Sequence, residues 1–169
     1  MNIYGYCRIS TAKQSIDRQI RNIKAEYPTA HIVQEAYTGT SIFRPEWLKL
    51  YRVLKAGDTV VFDSVSRMSR NAEEGFALYE DLYHKGIRLV FLKEHHIDTE
   101  TYKKALSGSI AMTGTNVDFI LKGINEYLMA LAKEQIKLAF EQSEKEVADL
   151  HQRTREGLLT ARLNGKQVG

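Results

Sequence analysis

Tyr6-Cys7-Arg8-Ile9-Ser10-Thr11-Ala12-Lys13-Gln14 ends an apolar run, residues 3–7, whose length and composition suit a buried strand, and passes into a segment with helical spacing. Ser10 is therefore expected on a strand-to-helix turn. In an open α/β sheet, ligands bind beyond the carboxyl ends of the strands, where the next helix offers unpaired N–H groups to an anion. A hydroxyl and a guanidinium at such a turn point to phosphate chemistry. Taken alone, the same residues also read as ordinary surface, with Ser10 a helix N-cap and Arg8 and Gln14 solvated. The rest of the chain has to decide.

Working outward, Ile16, Ile20, Ile23 and Tyr27 recur at helical spacing, and Pro28 stops them. Residues 31–37 read as a strand that runs into a polar loop at 38–41. Pro45 suits the first position of a second helix carrying Trp47, Leu48, Tyr51 and Leu54, expected to end near Gly57-Asp58. Residues 59–62 are β-branched and aromatic, hence a buried strand. Ser66-Arg67-Met68-Ser69-Arg70-Asn71 then leads into a helix with Phe76, Tyr79, Leu82 and Tyr83 as its apolar positions. If that helix has begun by Arg67, then Arg67 and Arg70 share a face near its positive end. Two cations there are unfavourable unless an anion binds between them, which is a second sign of a phosphate site; two solvated arginines are the plainer alternative. Gly86 ends this helix and residues 88–92 form a further strand. The alternation implies an α/β fold, a mainly parallel β-sheet flanked by helices.

Residues 102–115 are rich in Ser, Gly and Thr and carry no clear signal. Thr115 and Asp118 form a capping-box pattern. Beyond them Val117, Leu121, Ile124, Leu128 and Leu131, then Phe140, Val147, Leu150 and Leu158, recur at spacings of three, four or seven with a gap after Leu131. No proline falls in 116–164, so a helix of about 49 residues, about 70 Å long, is permitted. Its apolar stripe needs a partner, most simply a second copy of the chain. A break at 133–135, where the stripe thins, would give two shorter helices instead. The expected organisation is an α/β body at 1–115, a long oligomerisation and DNA-contacting helix at 116–164, and the start of a linker at 165–169.

With 169 residues and 43% hydrophobic content the chain has enough apolar material for one core. No apolar run approaches the roughly 20 residues of a membrane span, and residues 1–8 do not read as a signal peptide. The single cysteine, Cys7, leaves no internal disulfide and fits a reducing compartment, so the cytoplasm is expected. His95 and His96 are adjacent rather than at ligand spacing, and no metal site is expected there. Charge is unevenly placed. Arg153, Arg155, Arg162 and Lys166 face only Glu156 after position 152, a formal +3 equal to the net charge of the whole chain. A basic end on a near-neutral body is the footprint of a protein that touches nucleic acid.

Tyr6-x-Arg8-x-Ser10-Thr11-x-x-Gln14, then Gln19, Arg44, Gly57-Asp58, Ser66-Arg67-x-x-Arg70, Arg153-Thr154-x-Glu156-Gly157 and Gly165-Lys166-x-x-Gly169, closely resemble the serine recombinases, the resolvase and invertase family. Each short motif is weak alone; their order and spacing together are specific. The resemblance implies that Ser10 attacks a DNA phosphate and leaves a 5′-phosphoserine and a free 3′-hydroxyl. It implies that Arg8, Arg67 and Arg70 surround that phosphate, that Gln14, Gln19 and Arg44 position the DNA backbone, and that Asp58 is a buried supporting acid. It also implies a homo-oligomer, a dimer that pairs into a tetramer when two DNA sites synapse, and no metal, nucleotide or other cofactor. Tyr6 and Ser66 fall inside the motifs as supporting residues.

The chain departs from the family pattern in three places. Ser66 stands where many members have an aspartate; Val53 falls near a usual lysine, with Arg52 and Lys55 beside it; and Val147 occupies a common arginine position in a stretch, 98–153, longer than that of the small resolvases. Nothing resembles a helix-turn-helix or a zinc ribbon, so the sequence is expected to be the catalytic portion of a longer recombinase. Such a portion binds DNA weakly, through phosphates, with steep salt dependence. Two other classes remain. A receiver-like phosphoacceptor domain needs an acidic pair after its first strand and magnesium, where this chain has Arg8 and Ser10. A non-catalytic oligomerisation module would keep the fold for the long helix alone.

Overall fold

Four short runs of β-branched and aromatic residues, β1 (Ile3–Ile9), β2 (His31–Ala36), β3 (Thr59–Phe62) and β4 (Arg88–Phe91), form one parallel sheet in the order β2-β1-β3-β4. Helices alternate with them: α1 (Asp17–Glu26), α2 (Pro45–Val53), the single turn α3 (Val65–Met68), α4 (Ala72–His84), α5 (Thr99–Ser107) and the long α6 (Asp118–Leu163). This computed structural model describes residues 1–9, 16–36, 44–107 and 110–165, without the side chains of Leu106 and Val147.

Both faces of the sheet are covered, as parallel strands require. Alternation along the strands sends Tyr6, Val60, Phe62, Leu89 and Phe91 to one face, where Trp47, Leu50, Tyr79, Leu82, Ile136 and Phe140 pack on them. Cys7, Val61 and Val90 go to the other, against Ile23 and Ala30. On that second side a Cβ at Gly5 would lie 2.8 Å from Ile23 Cγ2, so glycine there is what lets α1 lie close to β1.

The expected α/β fold with a parallel sheet and a long C-terminal helix is what forms; several local expectations are corrected. Helix α2 ends at Val53, not near Gly57-Asp58. The Asp58 carboxylate accepts from the amides of Lys55 and Asn2, and this local bond competes with the helix and turns the chain early. Arg67 and Arg70 do not share one helix. Arg67 belongs to α3, and Ser69 is extended because its hydroxyl bonds to the Asn71 backbone and closes a turn before Asn71 caps α4 at the Glu74 amide. Much of the unassigned 102–115 stretch is α5, which begins at Thr99, whose hydroxyl accepts from the Leu89 amide. Asp118 does reach back before α6, but to the amides of Thr113 and Gly114, and the Thr115 hydroxyl pairs with Thr113 instead of capping the helix.

Helix α6 runs 46 residues with no break at 133–135. The thinning stripe there is Lys, Glu and Gln, all good helix formers, and Lys133 pairs with Glu80 of α4 at 3.3 Å. Its next turns sink Ile136, Ala139 and Phe140 into the main core. Elsewhere it is mostly exposed, with Phe119, Tyr127, Leu150 and Leu163 uncovered. Among the described residues no helix is long and apolar enough to cross a membrane.

Candidate active site

Arg8 is the last buried residue of β1, at the carboxyl edge of the sheet. Strand β3 pairs with β1 only as far as Tyr6 opposite Phe62, so the Arg8 backbone has no strand neighbour on that side. The Gln19 amide takes its place. Its Oε1 accepts from the Arg8 N–H at 3.1 Å and its Nε2 donates to the Arg8 carbonyl at 2.9 Å. Arg67 Nη1 donates to the same carbonyl at 3.1 Å, while Arg8 Nη2 donates to the Ser66 carbonyl at 2.8 Å. The end of β1 and the turn α3 are thus tied in both directions by guanidiniums. Arg44, just before α2, donates to the Met68 carbonyl, which brings a third element to the same edge.

These cations crowd one another. Burial, then Arg44 and Arg70, push Arg8 down to about 9, which still leaves it charged at neutral pH. Arg67 is lowered chiefly by burial, with Asp63 opposing, and Arg70 by burial and then Arg44. Arg8 Nε and Arg67 Nε are buried without a hydrogen-bond partner among the described residues. No ion pair among those residues includes Arg8, Arg44, Arg67 or Arg70. Buried donors without an ion-pair partner, gathered in this way, favour an anion between them.

Two of the nearby carboxylates are committed elsewhere, and a third bears on Arg67. Glu35 stands beside Arg8 in the sheet register, yet its Oε2 accepts from the amides of Glu46 and Trp47 at the start of α2. Glu94 accepts from the Val65 amide at the start of α3. Asp63, directly after β3, is buried on the α1 side, where it accepts from Asn22 and lies 3.5 Å from Lys93. Tyr6 packs edge-on to Trp47; burial drives its phenol well above the ordinary value against the pull of Arg44, and its hydroxyl makes no well-aligned hydrogen bond among the described residues. Burial, with Asp63 nearby, pushes the Cys7 thiol up to about 12, so it stays a protonated core residue.

Residues 3–136 match the resolvase N-terminal domain. The chain belongs to the resolvase family. A resolvase of Clostridium perfringens (strain 13 / Type A) is 28% identical over 99% of this chain and 75% of its own length. The transposon Tn21 resolvase of Escherichia coli is 27% identical over 90% of this chain and 83% of its own. A solved resolvase family site-specific recombinase from Streptococcus pneumoniae aligns over 96% of this chain and 98% of that one, with 20% identity and a TM-score of 0.46.

In this resolvase-family chain the matched residues contain Arg8, Arg44, Arg67 and Arg70 and end at Ile136, the first buried residue of α6. Of the residues singled out in the sequence, the structure gathers Tyr6, Arg8, Gln19, Arg44, Ser66, Arg67 and Arg70 at one edge. Asp58 is not among them. It precedes β3 at the amino edge, about 20 Å away along the strand direction, and holds the turn after α2. Arg153, Arg155 and Arg162 are exposed on α6, the nearest about 20 Å along the helix from Phe140. Ser10, Gln14 and Lys166 lie outside the described residues. The sequence reading overlooked Asp63, Glu35 and Glu94. Asp63 carried a usable signal, an acid immediately past the carboxyl end of a buried strand; Glu35 and Glu94 carried none, because what they cap lies 11 and 29 residues away.

Proposed function

We propose that this chain is the catalytic part of a site-specific DNA recombinase that cuts and rejoins DNA through Ser10. One observation carries the reading: Arg8, Arg44, Arg67 and Arg70 arrive from separate segments at one edge, and none of them is ion-paired with a described carboxylate. Family membership supports the recombinase class.

Serine is a weak nucleophile at its ordinary pKa, so it needs a field that favours the alkoxide. In the proposed step the Ser10 Oγ–P bond forms as the P–O3′ bond breaks. The Ser10 proton leaves and the departing O3′ takes one up. The phosphoserine keeps the energy of the broken diester, so attack by a 3′-hydroxyl reverses the step without a nucleotide or metal. Arg8, Arg67 and Arg70 stabilise the charge that builds on the phosphoryl oxygens, each worth about 3 kcal/mol, or roughly a hundredfold in rate. Gln14 and Arg44 orient the DNA backbone, and Gln19 holds Arg8.

The uncovered apolar residues of α6 suit a second copy of the chain, and two such dimers would synapse two DNA sites. Arg153, Arg155, Arg162 and Lys166 are assigned to DNA along the end of that helix. A bacterial cytoplasm, as host of a phage or mobile element, is the expected location. The test is to incubate the protein with a pool of nicked duplexes of randomised sequence, so that the cut fragment diffuses away, and to look for a covalent protein–DNA adduct. An adduct in the wild type and none in Ser10→Ala is expected. An adduct that persists in Ser10→Ala removes the nucleophile, and no adduct in the wild type removes the reaction.

A further inference from the structure

Arg70 sits on a three-residue turn, Ser69 to Asn71, between the single turn α3 and α4. Inside the turn the Ser69 hydroxyl donates to the Asn71 carbonyl at 2.9 Å and accepts from the Asn71 amide at 3.2 Å. The Asn71 side chain then caps the Glu74 amide, and its backbone carbonyl accepts from Gly75 N–H. The first amide of α4, Ala72 N–H, is one of the groups a helix leaves unpaired, and Ala72 is buried. Its acceptor comes from 72 residues further along the chain: Glu144 Oε2, on α6, at 3.0 Å.

One turn earlier on α6, Phe140 presses on Gly75, where a Cβ would lie 2.5 Å from two ring atoms and 3.0 Å from Ser69 Cβ. Residues 140 and 144 share a helix face, so α6 grips the start of α4 at two points, one apolar and one polar. A carboxylate at the positive end of α4 is electrostatically favoured as well. On its other side the turn brings the half-buried Arg70 within electrostatic range of Arg44 and Arg8.

We propose that Glu144 is a positioning residue for Arg70: by bonding the Ala72 amide, the long helix fixes the turn that aims this guanidinium at a DNA phosphate. The inference rests on the recombinase reading for the identity of the anion. It makes α6 an active-site element as well as an assembly surface, because any shift of the helix that breaks the Glu144 contact frees Arg70.

The test reads a phosphate contact directly. Binding to a mixed-sequence duplex is followed by anisotropy at several salt concentrations, and the slope of log K against log salt counts contacts at about 0.9 each. Arg70→Ala should lower the slope by about 0.9. Glu144→Ala should reproduce most of that loss, the double variant should lose no more than Arg70→Ala alone, and Glu144→Gln, which keeps an acceptor for Ala72 N–H, should restore the wild-type slope. A cap with only a structural role would lower the melting temperature and leave the slope alone. The inference is overturned by an unchanged slope in Glu144→Ala, by additive losses in the double variant, or by Glu144→Gln behaving as alanine does. Should Glu144→Ala fail to fold, Glu144→Asp, one methylene too short for the contact, gives the same readout. A wild type with no measurable DNA affinity overturns this inference and the recombinase reading together. A wild type with the Arg70-dependent slope but no Ser10 adduct overturns only the latter.

Discussion

Replacing Gln19 tests the support of the central cation without touching any cation. Gln19 is 3% exposed and lies on α1, 11 residues from Arg8, whose N–H and carbonyl it bonds at 3.1 and 2.9 Å. In Gln19→Met the packing volume is kept and both bonds go. The carbonyl retains Arg67, but the Arg8 N–H is left buried with no acceptor. An orphaned buried donor costs about 1–3 kcal/mol and the second bond about 1 kcal/mol, so destabilisation of about 2–4 kcal/mol is expected. Gln19→Ala adds a cavity and should cost more. Urea unfolding supplies the measurement, with a lowered midpoint at unchanged slope marking a true stability loss. A Gln19→Met protein within about 0.5 kcal/mol of wild type, a typical surface value, would refute the reasoning, since the Arg8 amide would then have found another acceptor. Because Arg8 loses its fixed backbone, adduct formation should fall along with stability.

Gly75→Ala should destabilise the protein. Overpacking against Phe140 costs about 1–3 kcal/mol, against a helix-propensity gain of about 1 kcal/mol at most. The cost should shrink in a Phe140→Leu background, and a higher melting temperature in Gly75→Ala would show that α6 yields freely. His95 provides a pH prediction. Its Nδ1 lies 2.8 Å from Asp98, and that hydrogen bond, with the charges of Asp98 and Glu26, raises its pKa in the folded state against a smaller desolvation effect. A raised folded value means the stabilisation is complete below the unfolded pKa of about 6.5 and fades as pH rises through the higher folded one. The melting-temperature gap between wild type and His95→Gln should therefore be larger at pH 5.5 than at pH 9; an equal gap at both would show that the His95 charge is not coupled to folding.

Much of the chain could be read from its residues because the deciding forces are local. Apolar alternation and helical spacing placed each strand and α1, α2 and α4, and they needed only neighbours within a few positions. The motif order placed Arg8, Gln19, Arg44, Arg67 and Arg70 in one constellation by resemblance, and the tertiary structure brings their side chains together at the carboxyl edge. Asp58 shows where this kind of reading stops. It lies in a matching motif and is buried, as expected, but a strand has two ends, and only the register of β3 on β1 shows that Asp58 supports the turn at the amino edge, away from the cations.

The sequence by itself determined the alternation of elements, the parallel sheet, the long helix and the identity of the cationic groups, since side-chain periodicity and residue chemistry are properties of short stretches. Only the tertiary structure decided how those cations are held and which acids are withheld from them. Glu35 serves α2, Glu94 serves α3 and Glu144 serves α4, each satisfying helix amides that would otherwise be unpaired. Those amides lie 11, 29 and 72 residues away from the carboxylates that meet them. Such pairings depend on how elements pack in three dimensions, and no local pattern encodes them.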